Sequence, residues 1–209
     1  MNLLSRHLTG LLDFSGRENR QPFWLWVLII YVTQMIVGAI AAVPLMSSYF
    51  QAIDQLVGMD KEYLDAHPEI AMQTMMNAIG PMMTGIMILS VVLSLIWAAM
   101  LGAAVVRRLH DSERSGWWSA PVFAIHVTMP IVYAAVFPGF FKQMAAMRPG
   151  MTPDEINAGF MPMMPLFWTA WLVGMIGFAL MILLIVFLCL PGTVGPNRFG
   201  DDPLRPPFH

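Results

Sequence analysis

The sequence predicts an all-α integral membrane protein with four transmembrane helices, both termini inside, and short surface helices in the two outside loops. Three observations carry that prediction. The 209 residues are 57% hydrophobic and only 11% charged, where soluble domains are about one-quarter charged. Four uncharged apolar runs are long enough to cross a bilayer. Most of the arginines fall on the side that four crossings assign to the termini and the middle connection. Mean hydropathy is +0.65. The whole chain reads as one membrane domain over 1–209.

A span needs about 20 predominantly apolar residues to cross a ~30 Å hydrocarbon core. The first run is Phe23 to Val43, closed by Pro44. The second is Met82 to Val106, opened by Pro81 and closed by Arg107-Arg108. Trp117 to Phe137 follows, closed by Pro138-Gly139, and then Leu166 to Leu190, between Pro165 and Pro191-Gly192. The runs are continuous, without the alternation of a membrane strand, so helices are expected. The stretch before Phe23 does not read as a cleaved signal, because the apolar run behind it is too long.

Orientation follows from the basic residues. One side holds Arg6, Arg17, Arg20, Arg107, Arg108, Arg114, Arg198 and Arg205; the other holds Lys61, Lys142 and Arg148. Eight against three predicts N-in/C-in. Trp24, Trp26, Trp117, Trp118 and Trp168 sit near span ends, where amphipathic rings anchor. The outside loops, about 44–81 and 138–165, carry helix signals of their own. Thr152-Pro153-Asp154-Glu155 is a capping box with proline at the first helical position, predicting a helix to about Phe160. Ile70, Met72, Met75, Met76 and Ile79 predict a surface helix over Pro68 to Ile79.

Three polar motifs on the arginine-rich side exceed what anchoring requires. The first is Phe14-Ser15-Gly16-Arg17-Glu18-Asn19-Arg20-Gln21-Pro22-Phe23-Trp24. Its Ser15 and Glu18 have capping-box spacing, which predicts a helix starting before the first span. The second runs from Arg107-Arg108-Leu109-His110-Asp111 through Arg114-Ser115-Gly116-Trp117-Trp118. The third is Pro191-Gly192-Thr193-Val194-Gly195-Pro196-Asn197-Arg198-Phe199-Gly200-Asp201-Asp202-Pro203, whose Gly and Pro content predicts turns. A shift of 94 residues also maps Arg20, Phe23, Trp24 and Pro44 onto Arg114, Trp117, Trp118 and Pro138, a weak internal echo.

Together the motifs resemble the signature of the domain-of-unknown-function 805 family of small bacterial inner-membrane proteins. The Phe-Ser-Gly-Arg start, the Arg-Arg-Leu-His-Asp centre leading into Arg-Ser-Gly-Trp-Trp, and the Gly-Thr-x-Gly-Pro-Asn-Arg-aromatic-Gly tail occur here in order. Ser112-Glu113 departs from the Thr-Gly usual in that family, and the Met-rich outside loops are unusually long. The resemblance implies a multi-pass protein of the bacterial inner membrane. The family has no established biochemical activity, so no catalytic or binding residue is carried over.

The motif residues themselves suggest an anionic-headgroup or partner site made of Arg17, Arg20, Arg107, Arg108, His110, Asp111, Arg114, Asn197 and Arg198. Arginine's planar fork binds phosphate oxygens in pairs. The blander reading is a salt-bridged cap that holds short loops. His110-Asp111 also admits a general-base reading in a lipid-headgroup enzyme, but no nucleophile has motif context, and a non-enzymatic role is expected. A second candidate site is intramembrane: His126 and Gln34 lie near mid-span depth, and ionisable groups there are functional hypotheses by default. His126 is expected to face the bundle interior and hydrogen-bond Gln34 or a serine of span two, as a helix tie or as the polar site of a small transporter or channel.

No cofactor or metal is expected. Cys189 is alone in an apolar run, and one thiol makes neither a disulfide nor a metal site. Of 20 methionines, 13 lie in or beside the outside loops. Their thioethers could suit copper(I), but adaptable apolar surface is the simpler use. Expected partners are the bilayer, anionic lipid headgroups, and other membrane proteins or copies of this chain. A formal net charge of −2 gives no reason to expect nucleic acid. The leading functional expectation is an envelope accessory or scaffold protein.

Overall fold

The computed structural model describes residues 3–147 and 150–205. Arg148, counted above among the outer cations, lies outside them. In order, the helices are α1 (Leu3–Thr9), α2 (Arg20–Leu45), α3 (Ser47–Val57), α4 (Lys61–Ala66), α5 (Pro68–Asp111), a 3-10 turn (Gly116–Ser119), α6 (Ala120–Ala145), α7 (Pro153–Phe160) and α8 (Met164–Cys189). No β-strand occurs among the described residues; Asn197 and Gly200 form one isolated bridge.

Four segments are long and apolar enough to cross a membrane: α2, α5, the 3-10 turn with α6, and α8. Their flanks stay apolar and exposed, as at Leu28, Ile40, Leu95, Ile131 and Ile182. Lipid is the solvent that tolerates such surface, because helices satisfy every backbone group internally.

The expected helix ends need correction. Pro81 and Pro138 lie inside α5 and α6 and terminate neither, whereas α2 does end at Leu45, one residue past Pro44. Proline removes one helical donor, but polar neighbours can re-satisfy a membrane helix. The Thr84 hydroxyl donates to the Gly80 carbonyl at 2.9 Å and the Ser47 hydroxyl to the Pro44 carbonyl at 2.7 Å, which are not the Asn77 and Ile40 carbonyls that Pro81 and Pro44 release. Pro68 to Ile79 is therefore no separate surface helix. It is the first part of α5, whose 44 residues extend about 66 Å at 1.5 Å each. Residues 15–19 are not helical either, since Glu18 turns inward to a buried partner. Ser15 instead donates its amide and hydroxyl to Asp13 Oδ1.

The loops hold helices that sequence reasoning both found and missed. Helix α7 starts at the expected capping box: Thr152 Oγ1 accepts from the Glu155 amide and Glu155 Oε2 accepts from the Thr152 amide. Helices α3 and α4 had not been anticipated. Asp60 caps α4 by accepting from the Glu62 and Tyr63 amides.

The chain divides into two compact units. One comprises residues 1–37, 93–128 and 173–209 and contains the three motifs. Its core joins Phe23 and Trp26 of α2, Trp97, Leu101, Val105 and Leu109 of α5, Val122 of α6, and Leu184 and Leu188 of α8. The Trp26 indole N–H donates to the Met100 carbonyl at 2.9 Å, tying α2 to α5.

The other unit comprises residues 38–92 and 129–172. Its aromatic cluster sets Phe137, Phe140 and Phe167 edge to face, with centroids 5.4–6.2 Å apart around Phe140 and its neighbours. The Ser48 hydroxyl of α3 donates to the Ala78 carbonyl of α5 at 3.2 Å.

Candidate functional site: a buried arginine–carboxylate cap

The three motifs meet at one end of their unit, although the residues that touch stand far apart in sequence. Arg107 and Arg108 end α5 side by side, so their side chains leave the helix in different directions. Arg107 Nε donates to Glu18 Oε2 at 3.1 Å, and its Nη1 donates to the Gly10 and Asp13 carbonyls. Arg108 Nε donates to the Leu188 carbonyl at 3.0 Å, its Nη2 to the Leu190 carbonyl, and its Nη1 to Asp111 Oδ2. Arg108 thus ties the end of α5 to the end of α8. It is fully buried.

Arg17 approaches the same carboxylate from the first motif. Its Nε and Nη2 donate to Asp111 Oδ1 at 3.2 and 3.0 Å. Nη1 and Nη2 also donate to the Gly195 and Thr193 carbonyls, both at 2.6 Å. Asp111 therefore joins all three motifs: two guanidiniums occupy its carboxylate, and its carbonyl accepts from the Thr193 amide at 2.8 Å. Gly192 passes so close that a Cβ there would run into the Asp111 carboxylate. A glycine is required at that position for close approach.

A second knot holds α1. His7 Nε2 donates to Glu18 Oε1 at 2.5 Å, its Nδ1 donates to the Leu3 carbonyl at 3.0 Å, and its ring stacks on Trp26 at 4.7 Å. Glu18 is 1% exposed and Asp111 3%. Buried carboxylates at that depth need partners, because an unpaired buried charge costs several kcal/mol.

The rest of the predicted set frames this centre. His110 stacks face to face on Phe199 at 3.8 Å and donates Nδ1 to the Gly16 carbonyl. It makes no pair with Asp111, whose oxygens belong to the arginines. Asn197 Nδ2 donates to the His110 carbonyl and to Thr193 Oγ1. Arg114 lies over the Phe187 ring and Arg198 over Phe199, both at 4.6 Å, a cation–π distance. Arg20 is exposed and stands outside the network. Gly195, at φ +81°, turns the tail so that its amide donates to Asp202 Oδ2, while Leu204 donates to Oδ1. Those two backbone donors, aided by Arg17 and Arg205, hold the Asp202 carboxyl below its ordinary range.

Contacts at separation 94 recur here: Arg107 to Asp13, His110 to Gly16 and Arg17 to Asp111. The sequence echo has the same shift. Residues 13–17 form a loop and 107–111 a helix, so these contacts mark two segments running side by side and no duplicated structure.

The intramembrane candidates differ from expectation. His126 makes no hydrogen bond through Nε2, and Gln34 Oε1 also lacks a partner among the described residues. His126 packs its ring on Trp97 at 4.1 Å, and the Trp97 indole nitrogen is unpartnered too. Aromatic packing displaced the expected tie. Trp97 was missed by sequence reasoning, as was His7. The signal for Trp97 was its mid-span position, away from the interface where tryptophan anchors. Among the described residues, no group of three or more His, Cys, Asp or Glu is arranged to hold a metal. Cys189 is exposed at the end of α8.

Comparisons with known proteins identify the family. A family model described as "Protein of unknown function (DUF805)" matches residues 11–201, which include the first two motifs and the third as far as Asp201. Inner membrane protein YhaI of Escherichia coli (strain K12) is 26% identical over 196 residues, covering 94% of this chain and 90% of that protein. Inner membrane protein YhaI of Escherichia coli O157:H7 matches to the same extent. No solved structure matches.

Proposed function

The chain belongs to the DUF805 family and is a multi-pass protein of the bacterial inner membrane, and from that premise we propose that it is a non-enzymatic envelope accessory or scaffold protein. Its working surface is the arginine–carboxylate cap, presented on the cytoplasmic side as a preformed platform. One observation carries the reading: the buried charges of the cap are saturated by one another and by backbone carbonyls. Catalytic acid–base pairs need groups free to exchange protons with a substrate. Here Asp111 and Glu18 are consumed by holding the chain together. Outward groups include the exposed Arg198 and the half-exposed Phe199 and Arg114, a cation-and-aromatic surface of the kind enriched at protein interfaces.

The test is site-specific photocrosslinking from Arg198 in intact membranes, read by mass spectrometry. A defined crosslinked protein should form with the native chain and disappear in Glu18→Gln, which breaks the cap while the spans still insert. Absence of any Glu18-dependent product would remove the platform reading. The cytoplasmic placement is tested separately, by membrane-impermeant labelling of cysteines placed at Arg198 and at Asp154. Only the second should label from outside.

A second reading, a small transporter or channel, is supported by the three unpartnered polar atoms of Gln34, Trp97 and His126. It requires substrate-dependent or proton flux in liposomes that His126→Phe abolishes. Unchanged flux in that variant would dismiss it.

A further inference from the structure

Within the cap unit, a cavity of about 140 Å³ lies between the start of α2 and the C-terminal turns. Arg17, Arg20, Asp111, Asp202 and Arg205 line it. Its two carboxylates are already engaged. Asp111 is held by Arg17 and Arg108, and Asp202 accepts from the Gly195 and Leu204 amides. Arg20 and Arg205 differ from the buried arginines. Both are exposed, and neither guanidinium has a hydrogen bond or ion pair within the described residues. Three guanidiniums thus face two carboxylates, and Arg108 backs Asp111 from the other side. The cavity carries surplus positive charge and free N–H donors, while its acceptors are spent.

Its location narrows the ligand. Arg20 is the first residue of α2, a helix long and apolar enough to cross the membrane. The cavity therefore lies where that span leaves the hydrocarbon, at headgroup level. The N-terminal end of α2 adds the positive end of its dipole. Paired guanidinium forks match phosphate oxygens better than point charges do. We propose that this cavity binds the phosphate of an anionic phospholipid headgroup, with Arg20 and Arg205 as its two donors and Arg17 as a fixed positive floor. The proposal rests on the platform reading for the rigidity of the cap, and on no protein partner.

The test uses the full chain in nanodiscs of phosphatidylcholine with and without phosphatidylglycerol, with bound lipid read by native mass spectrometry. The native chain should retain phosphatidylglycerol in preference to phosphatidylcholine. Arg20→Gln and Arg205→Gln should each weaken that preference about tenfold, the size expected for one charge-assisted pair. Arg6→Gln, an exposed arginine outside the cavity, should leave it intact. Both cavity variants should keep the native melting temperature, since neither residue joins the buried network. Equal retention by native and double-variant protein would overturn the proposal. So would an equal loss in Arg6→Gln, which would mean diffuse surface charge. A calorimetric arm with inorganic phosphate distinguishes the source: Arg20-dependent binding of free phosphate without a phosphatidylglycerol preference would overturn the lipid assignment. Loss of lipid preference with unchanged crosslinking from Arg198 leaves the platform reading standing, and the reverse result leaves the lipid site standing.

Discussion

The cap and the neutral polar residues within the spans of the same unit handle buried polar groups in opposite ways. In the cap, Arg17, Arg107, Arg108, Glu18 and Asp111 are nearly inaccessible, and each has several partners. In the span, Gln34, Trp97 and His126 each keep a buried polar atom with none among the described residues. The difference lies in charge. A guanidinium stays ionised, and a carboxylate keeps its charge only with partners, so neither is buried charged and alone. A neutral amide, indole or imidazole can be held by packing at a smaller cost. The cap is thus a structure that tolerates no deletion, and the span cluster one that should tolerate conservative exchange.

The sharpest way to break that contrast is Asp111→Ala. It strands both Arg17 and Arg108, and should cost on the order of 3–5 kcal/mol. Thermal unfolding in detergent would show it as loss of a cooperative transition or a large fall in midpoint. Next comes Gly192→Ala, which drives a methyl into the Asp111 carboxylate and should cost about 1–3 kcal/mol by overpacking, measured the same way. His126→Phe keeps the ring against Trp97 and removes an unpartnered nitrogen. Its stability change should stay within about 1 kcal/mol. A loss as large as that of Asp111→Ala would abolish the distinction between the two regions.

The smallest effect concerns pH. Backbone donors, Gly195 first and then Leu204, depress the Asp202 carboxyl. A depressed carboxylate contributes stability that is present above its unfolded value, about 3.9, and is lost as pH falls through the lower folded value. Native protein should therefore melt above Asp202→Asn at neutral pH, and the two should converge in acid. A gap that persists in acid would assign the Asp202 contribution to shape rather than charge.

Comparing helices with motifs shows which features were legible. The four spans were read correctly in number and order because a run of apolar side chains is visible along the chain. The helix ends expected at Pro81 and Pro138 are not there, because a proline's local cost does not decide where a membrane helix stops, while α2 does end beside Pro44. The spacing of Glu18 from Ser15 predicts a helix cap, while His7 and Arg107 claim its carboxylate from elsewhere in the fold. Gly192 and Asp202 fell within a motif, yet nothing local shows that one must clear Asp111 and the other gathers two backbone amides.

By itself, the sequence determined the solvent and the count of crossings, because hydrophobic length is a property of contiguous residues. It also determined that three polar motifs share one side, because an even number of crossings returns the chain to where it began. Only the tertiary structure decided the role of each arginine. Arg17 meets Asp111 across 94 residues and Thr193 across 176, and Arg108 meets Leu188 across 80. Pairing over such distances leaves no periodic trace in sequence, so Arg17 and Arg20, three positions apart, cannot be told apart there. In the fold one is buried in the network, and the other lines an open cavity with its guanidinium unpaired among the described residues.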